Sequence, residues 1–384
     1  MSVPMLDVNR QNRPLLGEIE HALFDICENG AFVHGPAVKQ LETEIAKYCQ
    51  VDHAVACASG SDALLLPLMA LDIAHGDEVI LPSFTFFATA GAVSRLGATP
   101  VFADIVPGTY NIDPADIERK ITPRTKAIMP VHLFGQACDM GRIMDLATRY
   151  NLPVIEDCAQ AIGAEYKGQR VGSFGAFGGF SFYPTKNLGG FGDGGIITCL
   201  TAEHAEQLRI LRDHGQYPRY VHHVVGLNSR LDTLQAAVLC IKLKQLDRYA
   251  AGRTKNAVRY ASRFRQLGLE GVVDLPEVAA NCGTVWNQFT VRVRSGRRDA
   301  LQKFLGDRKI GSAIYYPIPL HLQDCFADLE YREGDLPHTE QAAKEVLSLP
   351  IFAELTSEEQ EAVIDSVAAF CYEATRREPV RRAA

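Results

Sequence analysis

Seven short apolar runs rich in β-forming residues recur between residues 54 and 200, and helical patterns separate them. We predict strands at 54–58, 78–81, 99–103, 127–131, 153–156, 178–182 and 195–200. The runs that contain Ile128 and Val154 are apolar on both faces, which is typical of strands covered by helices on each side of a mostly parallel sheet. The alternation therefore indicates an open α/β domain.

A long helical pattern follows this segment. It begins at Ser229, and its apolar residues recur at helical spacing from Leu231 to Leu246 and on towards Tyr260. We place the domain boundary within it. The sequence predicts an N-terminal segment and a large domain over residues 1–245, and a small domain over residues 246–384.

The C-terminal part alternates helix and strand patterns again. We predict strands at 289–293 and 313–316. Thr356 is followed three residues later by Glu359, and this spacing predicts a capping box at the start of the last helix. The small domain is therefore also predicted to be α/β.

The charge balance and the cysteines exclude several functional classes. The 384 residues include 39 Lys and Arg against 46 Asp and Glu, a formal net charge of −7, which argues against binding to nucleic acid or to an anionic membrane. The ten cysteines form no CxxC pair and no cluster at zinc-ligand spacing, so we predict reduced thiols and no metal site. No apolar run approaches the roughly 18 to 20 residues that cross a bilayer, and the N-terminus does not resemble a signal peptide. We expect a cytoplasmic protein.

Lys186 is the first candidate catalytic residue. It lies in an apolar, glycine-rich stretch, residues 181–190. Desolvation there would lower the pKa of its ammonium and free the amine for a Schiff base with an aldehyde cofactor. A lysine alone would more commonly cap a loop with its charge in water. Two further motifs favour the catalytic interpretation.

The first of these motifs is the carboxylate of Asp157, directly after the predicted buried strand 153–156. A buried carboxylate opposite a pyridinium nitrogen makes the ring an electron sink, although an N-cap or an ion pair is the alternative. Gln160, three residues later, could donate a hydrogen bond to the phenolic oxygen of the same ring. A glutamine alone would mean little.

The second motif is a turn at residues 59–62 that precedes a helical run. Backbone N–H groups, the helix dipole and two hydroxyl groups could bind a phosphate there, although an ordinary N-cap has the same sequence. Ser181, five residues before Lys186, is a further candidate phosphate ligand. Together with Asp157, these features predict a cofactor site.

With these motifs in this order, the chain resembles the aspartate aminotransferase-like (fold type I) pyridoxal phosphate enzymes. Within them it is most similar to the DegT/DnrJ/EryC1/StrS sugar aminotransferases, from residues 32–36 to residues 315–321. The resemblance implies a mostly parallel seven-stranded sheet with a smaller C-terminal α/β domain, and pyridoxal 5'-phosphate as cofactor. It also implies a homodimer with shared active sites, L-glutamate as amino donor and a nucleotide-linked keto sugar as acceptor.

The family pattern also assigns roles to individual residues. It implies that Lys186 holds the cofactor covalently and that Asp157 pairs with the ring nitrogen as the second catalytic residue. The other implied cofactor contacts are Gly60, Ser61, Phe86 stacked on the ring, Gln160, Ser181 and, from the other subunit, Asn228. The implied substrate contacts are Gly30, Phe32, Tyr183, Arg230, Tyr315, Tyr316 and His321.

Two segments favour a transaminase that aminates carbon 3 of the sugar for amino sugar or polysaccharide biosynthesis. Residues 228–237 and 193–195 resemble the 3-aminotransferase branch, whereas many enzymes that act at carbon 4 have a glutamate in place of Asp193. Amination at carbon 4 or of a cyclitol ketone stays an alternative. Relatives that act on uronic acids often have other residues in place of Pro184 and Thr185, so the sequence does not decide whether the sugar is a uronate. It predicts neither the nucleotide nor the sugar stereochemistry.

Two other uses of this fold are disfavoured. Related sugar dehydratases have a histidine in place of the lysine. A cofactor-sensing regulator would need a DNA-binding segment, for which neither the length nor the charge leaves room.

Overall fold

The computed structural model describes residues 2–377, with side chains up to residue 373. Its strands are β1 (His53–Cys57), β2 (Glu78–Pro82), β3 (Thr99–Ala103), β4 (Thr125–Ile128), β5 (Ile155–Asp157), β6 (Glu165–Tyr166), β7 (Gln169–Arg170), β8 (Phe177–Ser181), β9 (Gly195–Cys199), β10 (Val273–Asp274), β11 (Cys282–Gly283), β12 (Phe289–Val293) and β13 (Val346–Leu349).

The helices are α1 (Val8–Asn12), α2 (Leu16–Asn29), α3 (Pro36–Cys49), α4 (Asp62–Ala70), α5 (Phe87–Arg95), α6 (Pro114–Lys120), α7 (Met140–Tyr150), α8 (Ala202–Leu211), α9 (Thr233–Leu243), α10 (Leu246–Gln266), α11 (Arg298–Asp307), α12 (Pro337–Glu345) and α13 (Ser357–Arg377). Short 3-10 turns occupy Arg13–Leu15, Leu133–Gly135, Leu320–Leu322 and Asp324–Leu329. None of the helices in the described part of the chain combines the length and the apolar character needed to cross a membrane.

Seven strands form the central layer in the order β3-β2-β4-β5-β8-β9-β1. The pairs β3–β2, β2–β4 and β5–β8 are parallel, and the single bridges Ile128–Val154 and Val131–Asp157 join β4 to β5 in parallel. Strand β9 is antiparallel to both β8 and β1. The predicted mostly parallel, seven-stranded sheet is therefore confirmed, with one reversed strand.

The buried faces of the sheet explain its apolar strands. The five residues of β2 and the five of β9 are all buried, because helices cover the sheet on both sides. Two core clusters pack on the sheet, one with α3 and α7 and the other with α4, α5 and α8. The continuous apolar runs in the sequence are thus explained by helices that cover both faces of the sheet.

The small domain is a three-stranded sheet, β10-β12-β13, packed against α10, α11 and α13. Its last helix begins with the predicted capping box: Glu359 N–H donates to Thr356 Oγ1 at 3.2 Å, and Thr356 N–H donates to the Glu359 carboxylate at 3.0 Å. Val3 is buried in the same core and pairs with Ile310, so the start of the chain crosses to the small domain. The boundary between the large and the small domain at residue 245 stays a prediction.

Two sequence predictions in this region differ from the structure. The predicted strand at 313–316 is wrong: Ala313 makes one bridge to Ser348, and the chain then leaves the sheet towards Pro317 and Pro319, which have no N–H to donate to a ladder. The single helical pattern after Ser229 is two helices, α9 and α10, separated at residues 244–245.

Candidate active site

The carboxyl ends of three strands and the start of a fourth meet at one edge of the central sheet. Asp157 ends β5, Ser181 ends β8, and the turn at residues 58–61 follows β1. Gly195 at the start of β9 pairs with both Cys57 and Ser181, so these chain segments lie side by side. Sites in open α/β sheets form at this edge, where parallel strands end together.

Asp157 is buried, and each carboxylate oxygen accepts a hydrogen bond. Thr89 Oγ1 donates to Oδ2 at 2.9 Å, and the Ala159 N–H donates to Oδ1 at 3.1 Å. Burial raises the pKa of Asp157, while the Ala159 N–H, the Thr89 hydroxyl and the charge of Lys186 act against the rise. Ionisation of this carboxyl group therefore costs free energy, and a cationic partner would reduce that cost.

Lys186 faces this carboxylate from the loop after β8. Burial lowers the pKa of its ammonium, and Asp157 acts against this shift, so each charge is felt by the other. A turn fixes the backbone, since the Lys186 N–H donates to the Tyr183 carbonyl at 2.9 Å. A partly buried amine of lowered pKa is the form that reacts with an aldehyde.

The predicted phosphate turn and Ser181 form a tight cradle. A side-chain carbon added at Gly60 would lie 2.5 Å from Cβ of Ser181, so only glycine fits there. Ser61 is the N-cap residue of α4, and Ser59 Oγ accepts the Asp62 N–H at 3.1 Å. The first turn of α4, with its free backbone N–H groups, therefore begins directly beside Ser181.

The segment that carries Asn228 lies beside this turn. Ser229 is buried, and its hydroxyl donates to Asp62 at 2.8 Å and accepts the Ala58 N–H at 3.2 Å. Asn228 itself is exposed. Arg230 is partly buried and pairs with Asp213 at 2.6 Å, which fixes the guanidinium close to the chain.

Aromatic residues close the site on the side of the small domain. The Gln160 amide accepts the Phe134 N–H at 2.7 Å and donates to the Tyr316 hydroxyl at 3.2 Å. The Phe86 ring is exposed, and its centroid lies 6.2 Å from that of Tyr316. The Tyr315 ring lies 5.8 Å from Tyr316. Four of the predicted contacts are therefore brought together.

Three further predicted substrate residues, Gly30, Phe32 and Tyr183, lie at the surface. Gly30 ends α2 in the left-handed conformation, with a φ of 68°. Phe32 and Tyr183 are exposed, and the Phe32 carbonyl accepts the Thr233 N–H at 3.0 Å. These positions leave both rings free to contact a ligand.

His321 has a different environment from the one predicted. It is buried, its Nδ1 lies 2.7 Å from Ser83 Oγ, and its Nε2 lies 3.3 Å from Glu340 Oε1. Because both ring nitrogens have partners within the protein, neither is free for a substrate. We therefore assign His321 a structural role, in place of the predicted contact with the substrate.

A buried group behind the site has metal-ligand chemistry. His132, Glu156 and Cys158 offer ligand atoms within 4.8 Å of one another. The Glu156 carboxylate, however, already accepts from His132 at 3.0 Å and from three N–H groups of the turn 172–175, and His132 Nδ1 accepts the Cys138 N–H. We interpret the group as an anchor for this turn.

Sequence reasoning missed Thr85, Thr89 and Ser83. Thr89 is 68 residues from the carboxylate that it binds, and no spacing rule links the two. The only sequence indication was that hydroxyl residues alternate with phenylalanines just after a buried strand. Their contacts depend on how the loop after β2 folds back over β5.

The residues of this edge fit pyridoxal phosphate. A cradle that excludes a side chain at residue 60 matches a phosphate, the buried Asp157 lacks a cationic hydrogen-bond partner, and Lys186 is a desolvated amine. The donor set and the two opposed charges suit a ring with a phosphate at one end and a basic nitrogen at the other.

Comparison with known proteins agrees with this geometry. The model of the DegT/DnrJ/EryC1/StrS aminotransferase family matches residues 15–368. The chain belongs to this family. The predicted fold type and the predicted enzyme class, a transaminase, are thereby confirmed.

Several relatives are similar over nearly their whole length. The chain is 48% identical to a pleiotropic regulatory protein of Geobacillus stearothermophilus, with 96% of this chain and 99% of that protein covered. It is also 48% identical to UDP-N-acetyl-3-dehydro-alpha-D-glucosamine 3-aminotransferase of Acidithiobacillus ferrooxidans, over 93% of this chain and 95% of that protein.

Solved structures give the same result. DesV of S. venezuelae, in complex with a ketimine intermediate, has a TM-score of 0.92 and 42% identity, with both chains fully covered. NtdA of Bacillus subtilis, with the bound cofactor PMP, has a TM-score of 0.91 and 34% identity over 97% of this chain and 85% of that chain.

Proposed function

We propose that this aminotransferase uses pyridoxal 5'-phosphate to convert a nucleotide-linked 3-keto sugar into the 3-amino sugar, with L-glutamate as amino donor. The observation that carries the proposal is that Lys186 and Asp157, each influenced by the charge of the other, lie at the same edge of the sheet as the close contact between Gly60 and Ser181.

The residues would hold the cofactor at three points. Gly60, Ser61 and Ser181 would bind the phosphate, Lys186 would bind the aldehyde carbon, and Asp157 would hold a proton on the ring nitrogen. Phe86 would stack on the ring face and Gln160 would bind its phenolic oxygen. When bound, pyridoxal phosphate supplies an aldehyde that exchanges with amines and a ring that accepts electrons.

Lys186 would also move a proton. Its amine, whose pKa is lowered by burial, would accept a proton from the carbon that bears the donor's amino group, and in the second half of the reaction it would deliver a proton to the former keto carbon of the sugar. Asp157, held by the Thr89 hydroxyl and the Ala159 N–H, would stabilise positive charge on the ring nitrogen.

Three features support a nucleotide-linked 3-keto sugar as acceptor. A relative that is 48% identical is named as a 3-aminotransferase of a UDP-linked sugar, and other relatives at 44% and 45% identity are named as transaminases of dTDP-linked 3-amino sugars. Exposed rings at Phe32 and Tyr183 offer apolar surface for a sugar and a base. Arg230 offers positive charge to a carboxylate or a phosphate.

The surface supports a homodimer with shared sites. The segment before Asn228 exposes Tyr217, Tyr220, Val221 and Val225, the last with 90% of its surface accessible. Apolar groups so close together are typical of a protein interface. A second copy that covers them would bring Asn228 to the phosphate cradle of its partner.

The substrate experiment incubates the purified protein and pyridoxal phosphate with glutamate and a panel of UDP-, dTDP- and GDP-linked 3-keto and 4-keto sugars. NMR of the product locates the new amine. We expect it at carbon 3; an amine only at carbon 4, or only on a cyclitol, would replace the proposal with its alternative. Cofactor binding without transfer to any ketone would favour a cofactor-sensing regulator.

The assignment of the lysine has its own test. Lys186→Ala should abolish the visible absorbance of the covalently held cofactor and all amino transfer, because the amine that makes the bond is gone. Lys167→Ala, at an exposed lysine in a β-turn, is the matched control and should leave both unchanged. Retained turnover in Lys186→Ala would refute the role of Lys186.

A further inference from the structure

Two buried threonines lie behind the carboxylate of the site. Thr85 and Thr89 are both buried, their hydroxyl oxygens are 2.9 Å apart, and Thr89 Oγ1 lies 2.9 Å from Asp157 Oδ2. Thr89 is in the first turn of α5, where its N–H donates to the Phe86 carbonyl at 3.2 Å. The threonines therefore lie on either side of Phe86 in the chain, the ring that would stack on the cofactor.

The direction of the hydrogen bonds follows from the chemistry of the carboxylate. An ionised carboxylate only accepts, so Thr89 must donate its hydroxyl proton to Asp157. The Thr89 oxygen is then free to accept, and Thr85 is the hydroxyl in reach. The donors run in one chain, from Thr85 to Thr89 to Asp157 Oδ2, and each bond polarises the next.

We propose that Thr89, supported by Thr85, is a positioning residue that keeps Asp157 ionised and aimed at the cofactor ring nitrogen. The Ala159 N–H holds Oδ1, and the Thr89 hydroxyl holds Oδ2, so both oxygens are fixed in place. This inference rests on the proposed cofactor but not on the identity of the sugar.

The burial of Asp157 makes this donor necessary. Without hydrogen bonds, a carboxyl group in such surroundings would bind a proton itself, and a neutral acid could not stabilise a protonated ring. Lys186 provides positive charge, but its own nitrogen would be committed to the cofactor aldehyde. A neutral hydroxyl donor stays in place during the whole reaction.

The test compares two cofactors in two variants. Thr89→Val has the same shape without the hydroxyl, and Thr89→Ser is the control that keeps it. Dissociation constants are measured by absorbance for pyridoxal 5'-phosphate and for its 1-deaza analogue, in which carbon replaces the ring nitrogen. Thr89→Val should weaken binding of the natural cofactor about ten-fold, as expected for a lost bond to a charged group, and leave the analogue unchanged.

The analogue separates positioning from packing. If Thr89→Val weakens both compounds equally, or weakens neither, the inference is overturned. Thr89→Ser should restore the wild-type preference for the natural cofactor. If Thr89→Val does not fold, Thr85→Val is measured in its place and should show the same selectivity with a smaller loss; an equal loss for both compounds would again overturn it.

The outcome does not depend on the substrate. Wild-type protein that binds no pyridoxal phosphate would refute the proposed function itself. Wild-type protein that binds it, with Thr89→Val behaving identically, would refute only the role of the threonines.

Discussion

At the scale of single residues, the site is built from two groups whose ionisation is opposed by burial. Burial raises the pKa of Asp157 and lowers that of Lys186, and the two charges partly compensate each other. Without a cofactor, both groups carry a desolvation cost. Because of that cost, we expect the site to prefer a ligand with a basic nitrogen and a reactive carbonyl carbon.

Replacing the carboxylate should separate cofactor attachment from catalysis. Asp157→Asn keeps the shape but cannot hold a proton on the ring nitrogen, so we expect cofactor absorbance to persist while kcat falls by about 100-fold to 1000-fold. Single-turnover kinetics with glutamate measures the loss. A near-normal rate in this variant would reject the role of Asp157.

Lys242 is a buried cation outside the site, and it should cost stability. Its nitrogen lies 5.8 Å from the centroid of Phe191, and burial lowers its pKa from 10.5 to about 8. The unfolded chain therefore binds the proton more tightly, so stability rises as the pH increases from about 8 to about 10.5. Lys242→Met should raise the free energy of unfolding at pH 7 by roughly 3 kcal/mol.

Denaturant titration at neutral and at alkaline pH checks this expectation. The advantage of Lys242→Met should shrink above pH 8, because the wild-type lysine is then neutral. Lys244→Met, at an exposed lysine paired with Glu18, is the control and should change stability by less than about 1 kcal/mol. An advantage that is equal at both pH values would contradict the explanation.

At the scale of elements, two loops are tied together over the site. The loop after β2 carries Phe86, and the segment after residue 313 carries Tyr316. Ser83, His321 and Glu340 link them, because the Ser83 hydroxyl contacts His321 Nδ1 at 2.7 Å and accepts the His321 N–H at 3.1 Å. This buried link holds the loop that carries Phe86 to the segment that carries Tyr316.

Removing the Ser83 hydroxyl should weaken the contact between these two loops. Ser83→Ala leaves His321 Nδ1 without a partner in a buried place, so we expect a loss of about 1–3 kcal/mol in the free energy of unfolding and a raised KM for the sugar. Calorimetry and steady-state kinetics measure the two effects. Ser94→Ala, an exposed serine on α5, should change neither; equal effects in both variants would show that the link has no special role.

At the scale of the whole molecule, the proposed homodimer would cover the exposed apolar segment before Asn228. A two-fold homodimer is self-complementary, so each chain would complete the site of the other. One chain would then supply Lys186 and Asp157, and its partner would supply Asn228. The active site would then belong to the dimer and not to a single chain.

Hybrid dimers test this arrangement. Lys186→Ala and Asn228→Asp should each be nearly inactive, the latter because its added charge repels the phosphate. Refolded together in equal amounts, they should recover about a quarter of the wild-type activity, since half of the dimers would contain one intact site.

The matched control mixes Lys186→Ala with Asp157→Asn. Both changes lie in the part of the site that one chain supplies, so no hybrid contains an intact site and no recovery is expected. Failure of the first mixture to recover, with dimers present by light scattering, would show that the sites are not shared.

Much of the fold and of the site could be predicted from the sequence, for a definite reason. The seven strands have local patterns, and the capping box of Thr356 and Glu359 is formed by residues three apart. The placement of Lys186 and Asp157 at one edge of the sheet could also be predicted, because each lies next to a recognisable strand or loop; their catalytic roles stay predictions. The error at residues 313–316 arose where two prolines overrode a strand-like composition.

The sequence by itself determined the layers and most of the strands, and it proposed the groups that react, because these features depend on side chains close together in the chain. Only the tertiary structure decided that Thr89 binds Asp157 and that His321 is enclosed between Ser83 and Glu340. These contacts join residues tens to hundreds of positions apart. They form only when the strand ends converge at one edge of the sheet, and no local pattern records that convergence.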